Sequence, residues 1–87
     1  MAGEERTLDC TVLTPEGQIF HGPAQMLVAP GESGYLGVLF NHAPLISTLG
    51  RGTLKIKSHD GTTRKWQVEG GFLEVLRNKV SVLTMRA

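Results

Sequence analysis

Apolar and polar residues alternate with a period of two along most of this chain, which predicts β-strands that bury one face. The alternation begins around Cys10, whose side chain falls on the inward face of a first strand, and Pro15-Glu16-Gly17 follows as a turn. Residues 18–29 are predicted to be extended chain that is broken or bulged at His21-Gly22-Pro23, because proline cannot donate a hydrogen bond to a strand ladder.

The rest of the chain continues the pattern with shorter strands and more turns. Residues 30–34 are predicted to form a loop, residues 35–39 and 44–49 two short strands, and the last strand ends near Met85. No apolar stripe with helical spacing extends over about ten residues, so no helix is predicted. Many short strands without helices are typical of a β-sandwich or a small barrel, and we expect residues 1–87 to form one domain.

The hairpin near the middle of the chain has two possible registers. A two-residue loop at Asp60-Gly61 would place apolar residues opposite charged ones on the same face. A three-residue loop, residues 59–61, instead sets Leu54 opposite Trp66 and gives Gly61 the left-handed conformation of a G1 bulge. We favour the second register, although it places two lysines opposite each other on the exposed face, and we expect the tryptophan to pack in the core.

Composition narrows the classes of function. Nine Lys+Arg against eight Asp+Glu leave a net charge of +1 without a run of one sign, whereas a nucleic-acid-binding domain usually shows a basic face. A single cysteine, Cys10, cannot form an internal disulfide, which suits a reducing compartment. The acidic N-terminus lacks the apolar run of a signal peptide, and no window approaches the ~18 apolar residues of a membrane span. We therefore expect any link to a membrane to come through a partner.

The glycine-rich stretch from Pro30 to Gly37 is the strongest candidate for a nucleotide site, and its pattern does not support one. A phosphate-binding loop needs Lys-Ser or Lys-Thr after its last glycine and then a helix, but Val38-Leu39-Phe40 follows here. The glycine spacing of a dinucleotide-binding fold is missing as well. We interpret these glycines as turn residues or as part of a contact loop, and we expect no cofactor.

Candidates for metal binding or catalysis are equally weak. His21, His42 and His59 are far apart in sequence, and no cysteine or histidine pair has zinc spacing. Cys10 on an inward strand face is interpreted as a small core residue rather than a reactive thiolate. No nucleophile elbow and no local carboxylate pair appears, so an enzyme would need a site that only the fold assembles. A free-standing adaptor that binds peptides along an exposed strand edge is a further hypothesis.

Two segments combine large apolar side chains with turn residues. His42 lies between apolar residues and Pro44, and the residue before a proline is held extended, so this segment is predicted to be a rigid connector. Gly70-Gly71-Phe72-Leu73 pairs two glycines with two large apolar residues. It is either a bulge whose side chains pack in the core or a patch that a partner's backbone approaches closely, and the sequence leaves both open.

Several short segments, collinear and with matching gaps, carry a resemblance to a known family: Leu8 to Gly17, Pro30-Gly31-x-x-Gly34-x-Leu36-Gly37-x-Leu39, His42-Ala43-Pro44-Leu45, Gly52-x-Leu54-x-Ile56, Gly70 to Val75, and Val80 to Leu83. Together they resemble the ε subunit of bacterial and chloroplast F-type ATP synthase, whose mitochondrial equivalent is called δ. The resemblance covers nearly the whole chain, and this collinearity makes it more specific than any single glycine-rich motif.

The resemblance implies the family's N-terminal domain, a two-layer antiparallel β-sandwich at the foot of the central stalk. In that family the domain binds the γ subunit and rests on the ring of c subunits, so that proton-driven rotation is coupled to ATP synthesis. It has no active site, and the complex lies at the cytoplasmic face of the bacterial membrane. Family members typically continue into a C-terminal helical hairpin that inhibits ATP hydrolysis or binds ATP. The chain ends at Ala87, so we expect neither inhibitory helices nor an ATP site.

The resemblance also implies contact residues for both partners. For the γ subunit they are His42, Ala43, Pro44, Gly70, Gly71 and Phe72, and for the c ring Gly31, Glu32, Ser33, Gly34 and Tyr35. Three positions, in two segments, depart from the family pattern. Tyr35 stands where an acidic residue is common, which argues against a salt bridge to the ring at this position. Phe40-Asn41 replaces the usual Pro-Gly before the histidine, a difference that bears on the local turn.

Overall fold

The computed structural model describes residues 6–87, which form eight β-strands and no helix. The strands are β1 (Leu8–Thr14), β2 (Gly17–Ala24), β3 (Met26–Gly31), β4 (Gly34–Val38), β5 (Leu45–Thr48), β6 (Arg51–Lys57), β7 (Thr63–Leu76) and β8 (Lys79–Arg86). Residues 1–5 lie outside the described residues. They belong to the acidic N-terminus, where the sequence predicts no signal peptide. Within residues 6–87, no helix is long and apolar enough to cross a membrane.

The strands form one continuous sheet in the order β2-β1-β8-β7-β6-β3-β4, and β5 also pairs with β7. The predicted all-β fold is confirmed. Every pair is antiparallel except β1 and β8, which run parallel from Asp9–Lys79 to Leu13–Leu83, so the expectation of an antiparallel sandwich is corrected at this one pair. Parallel pairing needs a long connection between the two strands, and the six intervening strands provide it.

The sheet folds over so that its two halves enclose one core. Phe20 of β2 and Trp66 of β7 meet across the layers edge to face, with ring centroids 5.6 Å apart. The predicted inward residues of β1, β6 and β8 are all buried, and each alternates with an outward neighbour. The core consists of Leu8, Cys10, Val12, Ala24, Leu27, Ala29, Val38, Leu49, Leu54, Ile56, Val68, Leu73, Val75, Val80 and Val82.

The long strand β7 holds the two halves together. β7 pairs with β6 in its first half and with β5 in its second half, and the register is the same in both halves. Two hydrogen bonds bridge the gap between them: the Leu49 N–H donates to the Gly71 carbonyl (2.9 Å), and the Gly70 N–H donates to the Gly50 carbonyl (3.1 Å). Gly70 and Gly71 have φ values of +72° and +111°. Two consecutive positive φ values break the extended geometry, and they fall between the part of β7 that pairs with β6, which ends at Glu69, and the part that pairs with β5, which begins at Phe72.

The predicted break or bulge at His21-Gly22-Pro23 is wrong. All three residues pair in register with β1, and Pro23 lies opposite Asp9. β2 is an edge strand, where the missing N–H of a proline need not cost a ladder bond. The chain breaks instead at Gln25, whose N–H donates to the Lys57 carbonyl (2.7 Å), and the register shifts at Val12/Leu13.

The predicted loop at residues 30–34 is also wrong. Pro30 and Gly31 end β3, Gly34 begins β4, and only Glu32-Ser33 remain as a two-residue turn. The glycine at position 34, directly after this turn, has φ +137°, a backbone conformation that favours glycine. Residues 30–34, which were predicted to be a loop between two strands, are therefore part of the hairpin formed by β3 and β4.

The favoured register of the central hairpin is confirmed. Leu54 lies opposite Trp66, and the loop is residues 59–61, since the Ser58 N–H donates to the Thr62 carbonyl (2.7 Å). Gly61 has φ +93°, as predicted. The tryptophan is half-buried and packs against the core rather than inside it.

Candidate docking surfaces

The segment before β5 begins with a tight turn at residues 39–42. The His42 N–H donates to the Leu39 carbonyl (3.1 Å), and Asn41 has φ +64° whereas Phe40 does not have a positive φ. This combination is that of a type II turn, which favours Pro-Gly at its centre but also accepts asparagine at the second position. The Asn41 N–H also donates to the Asn78 Oδ1 (2.6 Å). Phe40-Asn41 thus forms the turn that Pro-Gly would form.

After this turn, His42-Ala43-Pro44 presents a short exposed ridge. The imidazole of His42 is half-buried, and its Nδ1 lies 2.7 Å from the Ala43 carbonyl oxygen, where an N–H can donate. The alanine and the proline after it are exposed. The residue before a proline is confined to extended conformations, so the ridge holds its shape.

The structure separates the roles within Gly70-Gly71-Phe72-Leu73. A Cβ built on Gly71 would overlap the Leu83 carbonyl oxygen, so the close approach of β8 explains this glycine. Leu73 is fully buried, whereas Phe72 is 53% exposed on the outer face. The bulge interpretation therefore accounts for the glycines, and the phenylalanine remains available for a partner.

Phe72 belongs to a row of exposed apolar residues that the sequence did not reveal. Leu13 pairs with Leu83, and Leu83 pairs with Phe72, so the three side chains lie side by side on one outer face. They are 36%, 45% and 53% exposed, and we call them the outer apolar row. Ile46 of β5 and Met85 of β8 are also exposed, at 72% and 63%. In the sequence, the outer apolar row was indicated only by a leucine at an outward position in each of two strands, Leu13 in β1 and Leu83 in β8.

The hairpin tip between β3 and β4 carries the other predicted contact segment. Glu32, Ser33 and Gly34 are exposed, and the Thr48 hydroxyl donates to the Glu32 carboxylate (2.8 Å). Since Thr48 ends β5, the tip is fixed to that strand. β5 has four residues and is about 10 Å long, and the tip and the His42-Ala43-Pro44 ridge lie at its opposite ends.

Tyr35 lies next to this tip but turns back onto the sheet. Its hydroxyl oxygen accepts a hydrogen bond from the Thr53 N–H (3.0 Å). The phenol crosses Gly52, where a built Cβ would come within 2.5 Å of the hydroxyl oxygen and 2.8 Å of the Pro30 Cβ. The side chain therefore anchors the tip to β6, and the glycine at position 52 leaves the space it occupies.

The described residues do not assemble a chemical centre around the candidate nucleophile or the histidines. Burial, followed by the charge of Asp9, raises the pKa of the Cys10 thiol to about 12, so the thiol stays protonated at neutral pH. His21 Nε2 lies 3.1 Å from Asp9 Oδ1 in an exposed pair across β1 and β2. Within residues 6–87, no group of three histidine, cysteine or acidic side chains could hold a metal ion.

Comparison with known sequences places the chain beside one family. Residues 7–87 match the family model described as ATP synthase, Delta/Epsilon chain, beta-sandwich domain. The ATP synthase epsilon chain of Leptospira borgpetersenii is 46% identical over 77 residues, which are 88% of this chain and 60% of that one. The ATP synthase epsilon chain of Pelotomaculum thermopropionicum is 46% identical over 83 residues, 95% of this chain and 61% of that one. The chain spans about 60% of the length of these relatives.

Solved structures share the fold at lower sequence identity. A chain in the Euglena gracilis mitochondrial ATP synthase, OSCP/F1/c-ring in rotational state 1, superposes with a TM-score of 0.88 at 21% identity, over 99% of this chain and 56% of that one. A chain in the central stalk/c-ring of the Tetrahymena thermophila mitochondrial ATP synthase gives a TM-score of 0.75 at 17% identity, over 94% and 65%. At these identities the likeness establishes the β-sandwich architecture.

Proposed function

Because the chain belongs to the ATP synthase delta/epsilon family through its β-sandwich domain, we propose that it is the sandwich of a central-stalk subunit. In this proposal it binds the γ subunit and the c ring and couples proton-driven rotation of the ring to ATP synthesis. It is a non-catalytic part of the complex, needs no cofactor, and lies at the cytoplasmic face of the bacterial membrane through its partners.

The observation that carries this proposal is the outer apolar row. Leu13, Leu83 and Phe72 are contiguous and exposed, and they lie beside the strand that the His42-Ala43-Pro44 ridge leads into. On a small domain, a contiguous patch of exposed apolar surface often marks a site of protein–protein contact. We assign this surface to the γ subunit.

Within the predicted γ contacts, the side chains divide into two roles. Phe72 and the ridge at His42, Ala43 and Pro44 would touch γ directly. Gly70 and Gly71 would shape the surface by bending β7 beneath it.

The c ring would meet the hairpin tip at the other end of β5. Gly31, Glu32, Ser33 and Gly34 form the protruding turn, and Glu32 supplies its acidic group. Tyr35 would support the tip from behind, since its hydroxyl is hydrogen-bonded to β6. A basic loop of the ring would therefore approach position 32 rather than position 35.

Retention on immobilised γ subunit tests the assignment of the outer apolar row. Phe72→Ser and Leu83→Ser each remove apolar surface from the interface, and we expect affinity to fall about 10- to 100-fold. Leu76→Ser is the matched control, because Leu76 is 55% exposed at the end of β7 and belongs to neither the outer apolar row nor the His42-Ala43-Pro44 ridge. Circular dichroism checks that all three variants fold. Equal retention of the row variants and the control would show that γ binds elsewhere.

A further inference from the structure

The other half of the sheet carries a second surface of different chemistry. Lys55 and Lys65 lie directly opposite each other across β6 and β7, and Lys57 follows two residues along the same outer face. We call these three residues the lysine face. Like charges directly opposite each other in a sheet are destabilising. Among residues 6–87 the ion pairs are His21–Asp9 and Arg51–Glu69, and neither neutralises a lysine of this face.

A concavity of about 330 Å³ lies within the lysine face. It is lined by the three lysines together with Met26 and Thr63. Met26 pairs with Lys57 and is half-buried, so it offers an apolar wall, and Thr63 offers a hydroxyl group. No acidic side chain lines the concavity. Its volume is at the lower end of the range for small-ligand sites.

We propose that the lysine face binds a multivalent oxyanion of the phosphate class. Lysine ammonium groups are compact point charges that bind phosphate oxygens. Three of them around one small cavity match the charge of a pyrophosphate-sized ligand. Binding of this ligand would reduce the repulsion among the three ammonium groups.

An acidic polypeptide segment fits this face less well. Such a segment would extend along the strands beyond the cavity, where Thr53 and Gln67 follow. Their side chains are hydrogen-bonded to each other, with Thr53 Oγ1 donating to Gln67 Oε1 (2.9 Å), and they offer no positive charge. The positive charge is concentrated around the cavity, which favours a small anion or a lipid headgroup.

Titration of the purified chain with sodium pyrophosphate at constant ionic strength tests the site. We expect saturable changes in the backbone NMR signals of Met26, Lys55 and Thr63. Lys65→Gln should weaken binding about three- to tenfold, because one of three charges is lost. Lys79→Gln is the matched control, since Lys79 is an exposed lysine outside the face. Shifts spread over all lysines, or equal effects of the two variants, would overturn the proposal.

Thermal unfolding gives a second readout that separates binding from a structural role. Without anion, Lys65→Gln should raise the Tm by about 1–5 °C, because it removes a like-charge pair. With saturating pyrophosphate, the wild-type chain should gain more stability than the variant. An equal gain in both would contradict a specific site.

Sedimentation with vesicles then identifies the source of the phosphate group. Binding to phosphatidylglycerol vesicles that is lost in Lys65→Gln and competed by pyrophosphate would identify a lipid headgroup. Pyrophosphate binding without sedimentation would identify a free anion. Failure to bind either probe would refute the site.

Discussion

Replacing Gly71 by alanine tests whether the bend in β7 is a structural requirement of the fold. The substitution introduces one methyl group where β8 passes closest to β7. The Leu83 carbonyl oxygen occupies the position that the new Cβ needs, and the Leu83 carbonyl carbon and the Thr84 Cα would each be 2.8 Å away. All of these atoms belong to backbone, so no flexible side chain can move aside.

The expected loss of stability has two sources. A non-glycine residue at φ +111° costs about 1–3 kcal/mol in backbone strain. Relief of the overlap requires β8 to move away, which weakens one or two ladder hydrogen bonds at about 1 kcal/mol each. The loss of unfolded-chain entropy returns about 0.4–1 kcal/mol. The net loss lies between about 1 and 5 kcal/mol, with a mid-range value of about 3 kcal/mol, from a total of about 4–13 kcal/mol for a domain of this length.

Urea denaturation followed by Trp66 fluorescence and circular dichroism measures this loss. Gly37→Ala in β4 is the control, because a Cβ there meets nothing within 4 Å and the φ of that glycine is not positive. We expect the control to change stability by less than about 1 kcal/mol. In a thermal scan, Gly71→Ala should lower the Tm by about 10–25 °C.

A loss below about 1 kcal/mol in Gly71→Ala would refute the reasoning. It would mean that β8 moves away freely and that the close approach does not explain the glycine. A direct contact with γ would then become the better explanation of Gly71.

Two further predictions follow from the burial of Cys10 and from the position of Tyr35. The pKa of Cys10 is raised from 9.0 to about 12, so above pH 9 the unfolded chain loses this proton while the folded chain keeps it. The contribution of the protonated thiol to the free energy of unfolding is fully present below pH 9 and is lost as pH rises toward 12, by at most about 1.4 kcal/mol per pH unit. The urea midpoint of Cys10→Ala, measured over the same pH range, should not show this decrease. Tyr35→Phe removes the hydrogen bond from the Thr53 N–H and should cost about 0.5–1.5 kcal/mol, with faster hydrogen exchange of that amide; unchanged exchange would show that the bond does not form in solution.

Much of the fold follows from local pattern. Alternation placed Cys10, Leu54 and Val82 on the buried face, and the comparison of registers at residues 59–61 selected the observed hairpin. These predictions succeeded because the face of a strand and the type of a hairpin turn depend on residues within a few positions of each other.

The wrong predictions concern features that depend on residues far apart in the sequence. Pro23 is accommodated because β2 lies at an edge, and only the complete strand order shows that. The outer apolar row joins Leu13 and Leu83, which are 70 positions apart and become neighbours only through the β1–β8 pairing. The role of Tyr35 likewise depends on the absence of a side chain at Gly52, a residue of another strand.

The parallel pairing of β1 and β8 has a mechanical consequence. A pull applied at Thr7 and at Ala87 would act along the strands in opposite directions, because the two strands run the same way. The force would then load all five rungs, from Asp9–Lys79 to Leu13–Leu83, in shear and at the same moment. Antiparallel terminal strands pulled from adjacent ends would instead peel apart one rung at a time. This sandwich should therefore resist stretching along its strands and unfold slowly under tension.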